Sequence, residues 1–194
     1  MRITPTELPG VLIVEPRIFW DNRGHFLETF HGERYCEHGL RENFVQDNLS
    51  FSNRGVLRGL HYQIGRPQGK LVMVPDGEIY DVAVDIRVGS PHFGEWAGVR
   101  LSSVGCRQIF IPAGFAHGFC VISETASVIY KCTDYYSPAD ERGIRWDDPG
   151  LSIAWPVTDP IMSEKDRLYP TLSEVPAEDL PVYKETTNSE QTEK

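Results

Sequence analysis

The chain is 194 residues long, which suits one good-sized domain and leaves little room for two separately cored ones. Hydrophobic residues make up 40% and charged residues 24%, the ordinary globular mix, which excludes collagen-like and wholly disordered chains. Nineteen Lys and Arg against 28 Asp and Glu give a net charge of −9, the wrong sign for following a nucleic-acid backbone or an anionic membrane, so an anionic ligand has to be met by a local cluster of cations.

The opening MRITPTELPG lacks the apolar stretch of a signal peptide, and no run approaches the ~18 apolar residues of a membrane span. A cytoplasmic protein with neither nucleic-acid nor membrane partners is the expectation. Short strand-like runs follow at 11–14, 26–30, 44–53, 56–63, 95–102, 107–112, 117–123 and 126–134, with Ser52-Asn53-Arg54-Gly55 and Pro112-Ala113-Gly114 among the turns between them. KLVMV at 70–74 leads into Pro75-Asp76-Gly77, whose Asp-Gly step predicts a hairpin. Beyond it Tyr80, Val82, Val84 and Ile86 alternate with Asp81, Ala83 and Asp85, predicting a half-buried strand with two carboxylates on its other face.

Short helices are predicted only at 31–40 and 163–169, the second opening on Ser163, a good cap. Many short strands with Gly and Pro punctuation predict a mainly β, antiparallel sandwich or barrel over residues 1–172. Residues 173–194 turn acidic and then polar and are expected to form a mobile tail. Cys36, Cys106, Cys120 and Cys132 form no CxxC pair and are expected to be free and mostly buried.

Of six histidines, His61 and His117 lie in strand-like segments among apolar neighbours; the others sit beside Gly, Pro or charge, as surface residues do. A histidine near a core is usually structural. Arg58 and Lys70 nevertheless flank His61, and a neutral imidazole near fixed cations suits a general base working on an anionic substrate. Metal-binding cupins, a jelly-roll superfamily, use an H-x-H pair on one strand, and here that pair reads His61 and Gln63. The second half of the cupin pattern, P-x-G-x-x-H, is present as Pro112, Gly114 and His117, so the chain resembles the fold signature without the ligand set, and a metal-free site is expected. Tyr130 shares a face with Val128 and Cys132, either as a core tyrosine or as a proton donor opposite a histidine. Gln46 and Asn48 also share a face, as edge polar groups or as readers of a base or sugar edge.

DNRGHFLETF (21–30), FVQDNLSFSNRGVLRGLHYQ (44–63), GKLVMVPDGEIYDVAVDIRVGSP (69–91), IPAGFAHGF (111–119), YKCTDYYSPADERGIRWDDP (130–149) and SEKD (163–166) together closely resemble the dTDP-4-dehydrorhamnose 3,5-epimerase family, over about residues 1–170 in one collinear order. The resemblance implies a dimeric, jelly-roll, cupin-like enzyme without metal or other cofactor. Its reaction is epimerisation of dTDP-4-dehydro-6-deoxy-D-glucose at carbons 3 and 5. By resemblance His61 is the base, Asp166 holds its ring, Lys70 stabilises the enolate oxygen and Tyr130 is the acid. Arg23, Arg58 and Lys165 match diphosphate contacts, while Glu28, Gln46, Asp47 and Asn48 match nucleotide-binding positions. His117 and Glu141 match further substrate contacts, and Tyr136 the aromatic that stacks on thymine.

Strict alternation sends Arg58 and His61 to opposite faces of one strand, although the family uses both on one ligand. A bulge near Gly59 is therefore expected. Loop IGRPQ (64–68) and Met73 depart from the family pattern and bear on sugar preference. The competing readings are a relative inverting a single carbon, a non-catalytic sugar-nucleotide-binding cupin, and a metal-dependent cupin oxygenase.

Overall fold

The computed structural model describes residues 1–184. Its strands are β1 (Arg2–Pro5), β2 (Leu12–Glu15), β3 (Ile18–Asp21), β4 (Gly24–Leu27), β5 (Gln46–Asn53), β6 (Leu57–Gln63), β7 (Lys70–Asp76), β8 (Glu78–Asp85), β9 (Trp96–Ser102), β10 (Gln108–Ile111), β11 (Phe115–Val121), β12 (Thr125–Cys132) and β13 (Glu141–Gly143). Two short helices, α1 (Gly32–Glu37) and α2 (Glu164–Arg167), accompany them. One sheet runs β1-β2-β10-β7-β12-β5 and the other β13-β6-β11-β8-β9, every ladder antiparallel, with β3 and β4 forming a separate hairpin. This is the mainly β, antiparallel sandwich that the punctuation predicts, in the cupin-like jelly-roll form that the resemblance implies.

Period-2 alternation fills the space between the sheets. Val72 and Val74 of β7, Ile79 and Ala83 of β8, Ile109 and Ile111 of β10, Phe119 and Val121 of β11, and Ala126 and Val128 of β12 form one apolar core. At one end the same inward rows turn polar: Lys70 precedes Val72, Asp81 lies between Ile79 and Ala83, His117 precedes Phe119, and Tyr130 follows Val128. The site is thus an extension of the core-facing register.

Several expectations change here. The 75–77 turn makes no hairpin, since β7 pairs with β10 and β12 while β8 pairs with β11 and β9. Asp-Gly supplies the positive φ of a tight turn, and Gly77, at φ +83°, carries the chain from one sheet to the other. β8 is buried on both faces, because the second sheet's outer face is covered: Val82, Val84 and Ile86 pack with Leu60, Tyr62, Ile144, Leu151, Leu172 and Leu180. Its two carboxylates are consequently buried and partnered, Asp81 by His117 and Asp85 by Arg87 and Ser90.

The segment expected to fray from 173 is instead docked through residue 183. Leu180 is buried, Val182 bridges Val88, Asp179 pairs with Arg142, and the Arg87 guanidinium lies between the Phe115 and Tyr183 rings at 4.4 and 4.9 Å. A few apolar anchors in an acidic stretch outweigh its average composition; residues 185–194 lie outside the described residues. Three of the four cysteines are buried, Cys36 is exposed, and all four are free. Among the described residues no helix is long and apolar enough to cross a membrane.

Candidate active site

A cleft of about 660 Å³ opens at the polar end of the sandwich, within the range of small-molecule sites. Its floor is set by an irregularity in β6. His61 pairs with His117 and Arg58 with Phe119, so Gly59 and Leu60 together face Gly118, and the ladder bulges there. Gly59 has φ +119°, and a Cβ on it would lie 2.5 Å from the Gly118 Cα and 2.8 Å from the His117 carbonyl oxygen, so only glycine fits. The bulge expected near Gly59 is present, and Arg58 and His61 line the same cleft.

His61 Nε2 lies 2.9 Å from Asp166 Oδ1. Asp166 comes from α2, where the Ser163 hydroxyl caps the turn by accepting from the Asp166 amide at 3.1 Å. The Gly59 amide donates to its Oδ2 at 3.3 Å. Burial would raise the Asp166 pKa, but the hydrogen bond and charge of His61, with the Gly59 amide and Ser163, outweigh it and hold the carboxyl below the usual range. The Tyr169 ring meets His61 edge-on at 5.8 Å, closing one side of the imidazole.

Lys70 and Tyr130 line the cleft from the opposite sheet. Burial pushes the Lys70 pKa down, with Cys132, Asp81 and Glu141 pulling the other way. Burial pushes the Tyr130 phenol up, so its proton stays on at neutral pH. Among the described residues neither Lys70 nor Arg58 has a salt-bridge partner, which leaves two cations for an anionic ligand in a chain of charge −9.

The far wall is a polar strip. The Gln46 Nε2 donates to Asn48 Oδ1 at 3.0 Å, and the Gln46 Oε1 accepts from the Tyr136 amide at 2.8 Å. The Tyr136 hydroxyl donates to Glu141 Oε2, which also accepts from Lys165. Burial would raise the Glu141 pKa, but those two bonds together with the charges of His61 and Lys165 hold the carboxyl below its usual range. His117, at the back, bonds to the buried Asp81.

Eleven of the fourteen sequence-predicted site residues meet in this cleft: His61, Tyr130, Asp166, Lys70, Gln46, Asn48, Arg58, His117, Tyr136, Glu141 and Lys165. Arg23, Glu28 and Asp47 do not line it. Arg23 lies at the β3–β4 turn and pairs with Asp21, Glu28 pairs with Arg34, and Asp47 pairs with Lys131. For Asp47 the cause is the pleat, since a residue between Gln46 and Asn48 must point the other way. The same rule would have found Ser50, which continues the inward row and lines the cleft. Period 2 places Asp81, which lies behind His117, on one face of β8, but nothing in a single sequence says that both faces are covered.

Gln63, at the position of a cupin metal ligand, uses its amide structurally. It donates to the Arg66 and Tyr135 carbonyls at 2.6 and 3.3 Å and accepts from the Ser137 amide at 2.8 Å. Among the described residues no group of three or more His, Cys, Asp or Glu is placed to hold a metal.

The family model for dTDP-4-dehydrorhamnose 3,5-epimerase matches residues 5–174. The dTDP-4-dehydrorhamnose 3,5-epimerase of Pseudomonas aeruginosa is 55% identical over 86% of this chain and 93% of its own length. That of Methanothermobacter thermautotrophicus is 54% identical over 90% of this chain and 96% of its own. The crystal structure of the dTDP-6-deoxy-D-glucose-3,5-epimerase of Legionella pneumophila in complex with dTDP-4-keto-L-rhamnose superposes with a TM-score of 0.92, at 51% identity, covering 94% of this chain and 98% of that one. With the model match running through most of the chain and relatives of this identity along nearly their whole length, the chain belongs to the dTDP-4-dehydrorhamnose 3,5-epimerase family.

Proposed function

We propose that His61, Asp166, Lys70 and Tyr130 carry the family's reaction in this cleft. The chain is an isomerase of rhamnose biosynthesis, epimerising the dTDP-linked 4-keto-6-deoxy sugar at carbons 3 and 5. Both carbons are α to the 4-keto group, so loss of a proton gives an enolate and its return to the other face inverts the centre. That sequence moves protons only, and it needs a base, an acid and a group for the oxyanion, with no electron acceptor.

His61 takes the α-proton, and the C–H electron pair moves into a carbon–carbon double bond as charge builds on the carbon-4 oxygen. Asp166 orients the imidazole and stabilises the imidazolium that forms. Lys70, an ammonium with little water around it, donates to the oxyanion. Tyr130 delivers its phenolic proton to the opposite face of the same carbon, and exchange with water resets both groups. Arg58 and Lys165 hold the diphosphate, Gln46 and Asn48 read the nucleotide, and Tyr136 stacks on thymine.

Arg23, Glu28 and Asp47 act, in this reading, from a second copy of the chain. Phe19, Trp20 and Phe26 of the β3–β4 hairpin and Leu49 and Phe51 of β5 are exposed, and β5 is an edge strand, a surface that a homodimer would cover. The observation that carries the whole reading is that the His61–Asp166 pair, Lys70 and Tyr130 line one cleft. Incubation with dTDP-4-dehydro-6-deoxy-D-glucose in heavy water tests it. Deuterium at carbons 3 and 5 is expected; label at one carbon would reassign the chain to single inversion, and label at neither would remove these roles.

A further inference from the structure

The interior holds a second histidine–carboxylate pair that the proton transfers above do not use. Asp81 faces inward from β8 with no exposure, its Oδ2 2.9 Å from His117 Nε2. Its other oxygen, Oδ1, is buried without a hydrogen-bond partner among the described residues. An inward position flanked by Ile79 and Ala83 would cost less filled by an apolar or amide side chain than by a carboxylate with one hydrogen bond. A group kept there against stability points to a task.

The chemistry of the pair defines that task. With Asp81 as a carboxylate, which can only accept, the hydrogen of their 2.9 Å bond belongs to His117 Nε2. Burial pushes the His117 pKa down, and the charges of Lys70 and His61 push the same way against Asp81, so the ring is neutral at pH 7. A neutral imidazole has one N–H, which leaves Nδ1 as a bare lone pair. Nδ1 has no hydrogen-bond partner among the described residues, and His117 lines the cleft opposite His61. The ring therefore offers the cleft an acceptor.

We propose that Asp81 is a positioning residue that locks His117 in its Nε2–H tautomer, so that Nδ1 accepts a hydrogen bond from a sugar hydroxyl of the bound ligand. This deepens the reading of the cleft as a nucleotide-sugar site and rests on it. In the other tautomer Nδ1 would present an N–H to that hydroxyl, an arrangement that reads a different partner and misplaces the ring's contribution to holding the sugar.

The test combines a spectroscopic and a kinetic readout on the full chain. Ring nitrogens of 15N-histidine-labelled protein are recorded with His117 assigned by loss of its signals in His117→Gln. The expected pattern is a protonated Nε2 and an unprotonated Nδ1 at neutral pH and above; a protonated Nδ1 there overturns the proposal whatever the enzyme's activity. In Asp81→Asn the amide can turn its NH2 to the ring, so mixed tautomers are expected. The same variant should lose about 100-fold in kcat/KM on the 4-keto sugar, with dTDP affinity and thermal midpoint unchanged or the midpoint raised. A lowered midpoint with kinetics intact would make Asp81 structural and refute the assignment. Because the wild-type ring pattern needs no turnover, its failure is separable from a failure of the deuterium experiment.

Discussion

His61 and His117 face each other across the β6–β11 ladder, and each holds a carboxylate at 2.9 Å, yet the two pairs are built differently. The His61 side chain is 29% exposed and Asp166 sits on a capped turn with a second bond from the Gly59 amide. The His117 side chain is 7% exposed and Asp81 is fully enclosed with a single bond among the described residues. An imidazole that reaches both ligand and solvent can take a proton and hand it on. An imidazole sealed against a buried carboxylate can orient and accept, but has no route to recycle a proton. The same two residue types acquire different tasks from access alone.

The largest break in this comparison is removal of the open ring. His61→Ala should lower proton exchange at both sugar carbons by about 10³-fold, while dTDP affinity, measured by calorimetry, stays within about tenfold because the base acts on the sugar. Exchange at near wild-type rate would transfer the base's role elsewhere. Next comes Tyr130→Phe, expected to slow net inversion by about 100-fold but abstraction by less, so that exchange of substrate hydrogen outruns product formation. Equal losses in both would show that Tyr130 does more than return the proton.

How far these roles are legible in the sequence follows from the same register argument. Period 2 is local, and it correctly groups Gln46 with Asn48 and Val128 with Tyr130. The conflict it creates between Arg58 and His61 locates the bulge, because two residues needed on one face cannot be three apart in a regular strand. What it cannot supply is which sheet a strand joins or what covers its outer face. Hence Pro75-Asp76-Gly77 reads as a hairpin yet crosses between sheets, and Asp81 reads as exposed yet is enclosed. The resemblance is complementary: it names Asp47 beside Gln46 and Asn48 without saying which copy's cleft it serves, and the pleat turns it away from this chain's own.

A smaller effect separates stacking from hydrogen bonding on the far wall. The Tyr136 ring is half exposed, its amide bonded to Gln46 and its hydroxyl to Glu141. Tyr136→Ala should weaken dTDP binding by about 1–3 kcal/mol if the ring stacks on the base. Tyr136→Phe keeps the ring and should leave affinity nearly unchanged. Equal losses would assign the effect to the Glu141 bond and take the ring out of recognition.

The smallest expected effect is on stability, and it again turns on the carboxylate beside the open histidine. Asp166 has its pKa lowered in the folded chain from the ordinary 3.8, so its ionised form is favoured by folding. A depressed carboxyl contributes stability that is fully present above the unfolded value and is lost as pH falls through the folded one. The wild type's advantage over Asp166→Asn in urea denaturation should therefore be present above about pH 3.8 and shrink once pH drops below it. Other depressed carboxyls, Glu141, Asp85 and Asp147 among them, remain in both proteins, so their acid losses cancel in the difference. An advantage that held unchanged into strong acid would mean that Asp166 supports the fold through shape and neutral hydrogen bonds. Its charge would then serve only the imidazolium formed during turnover.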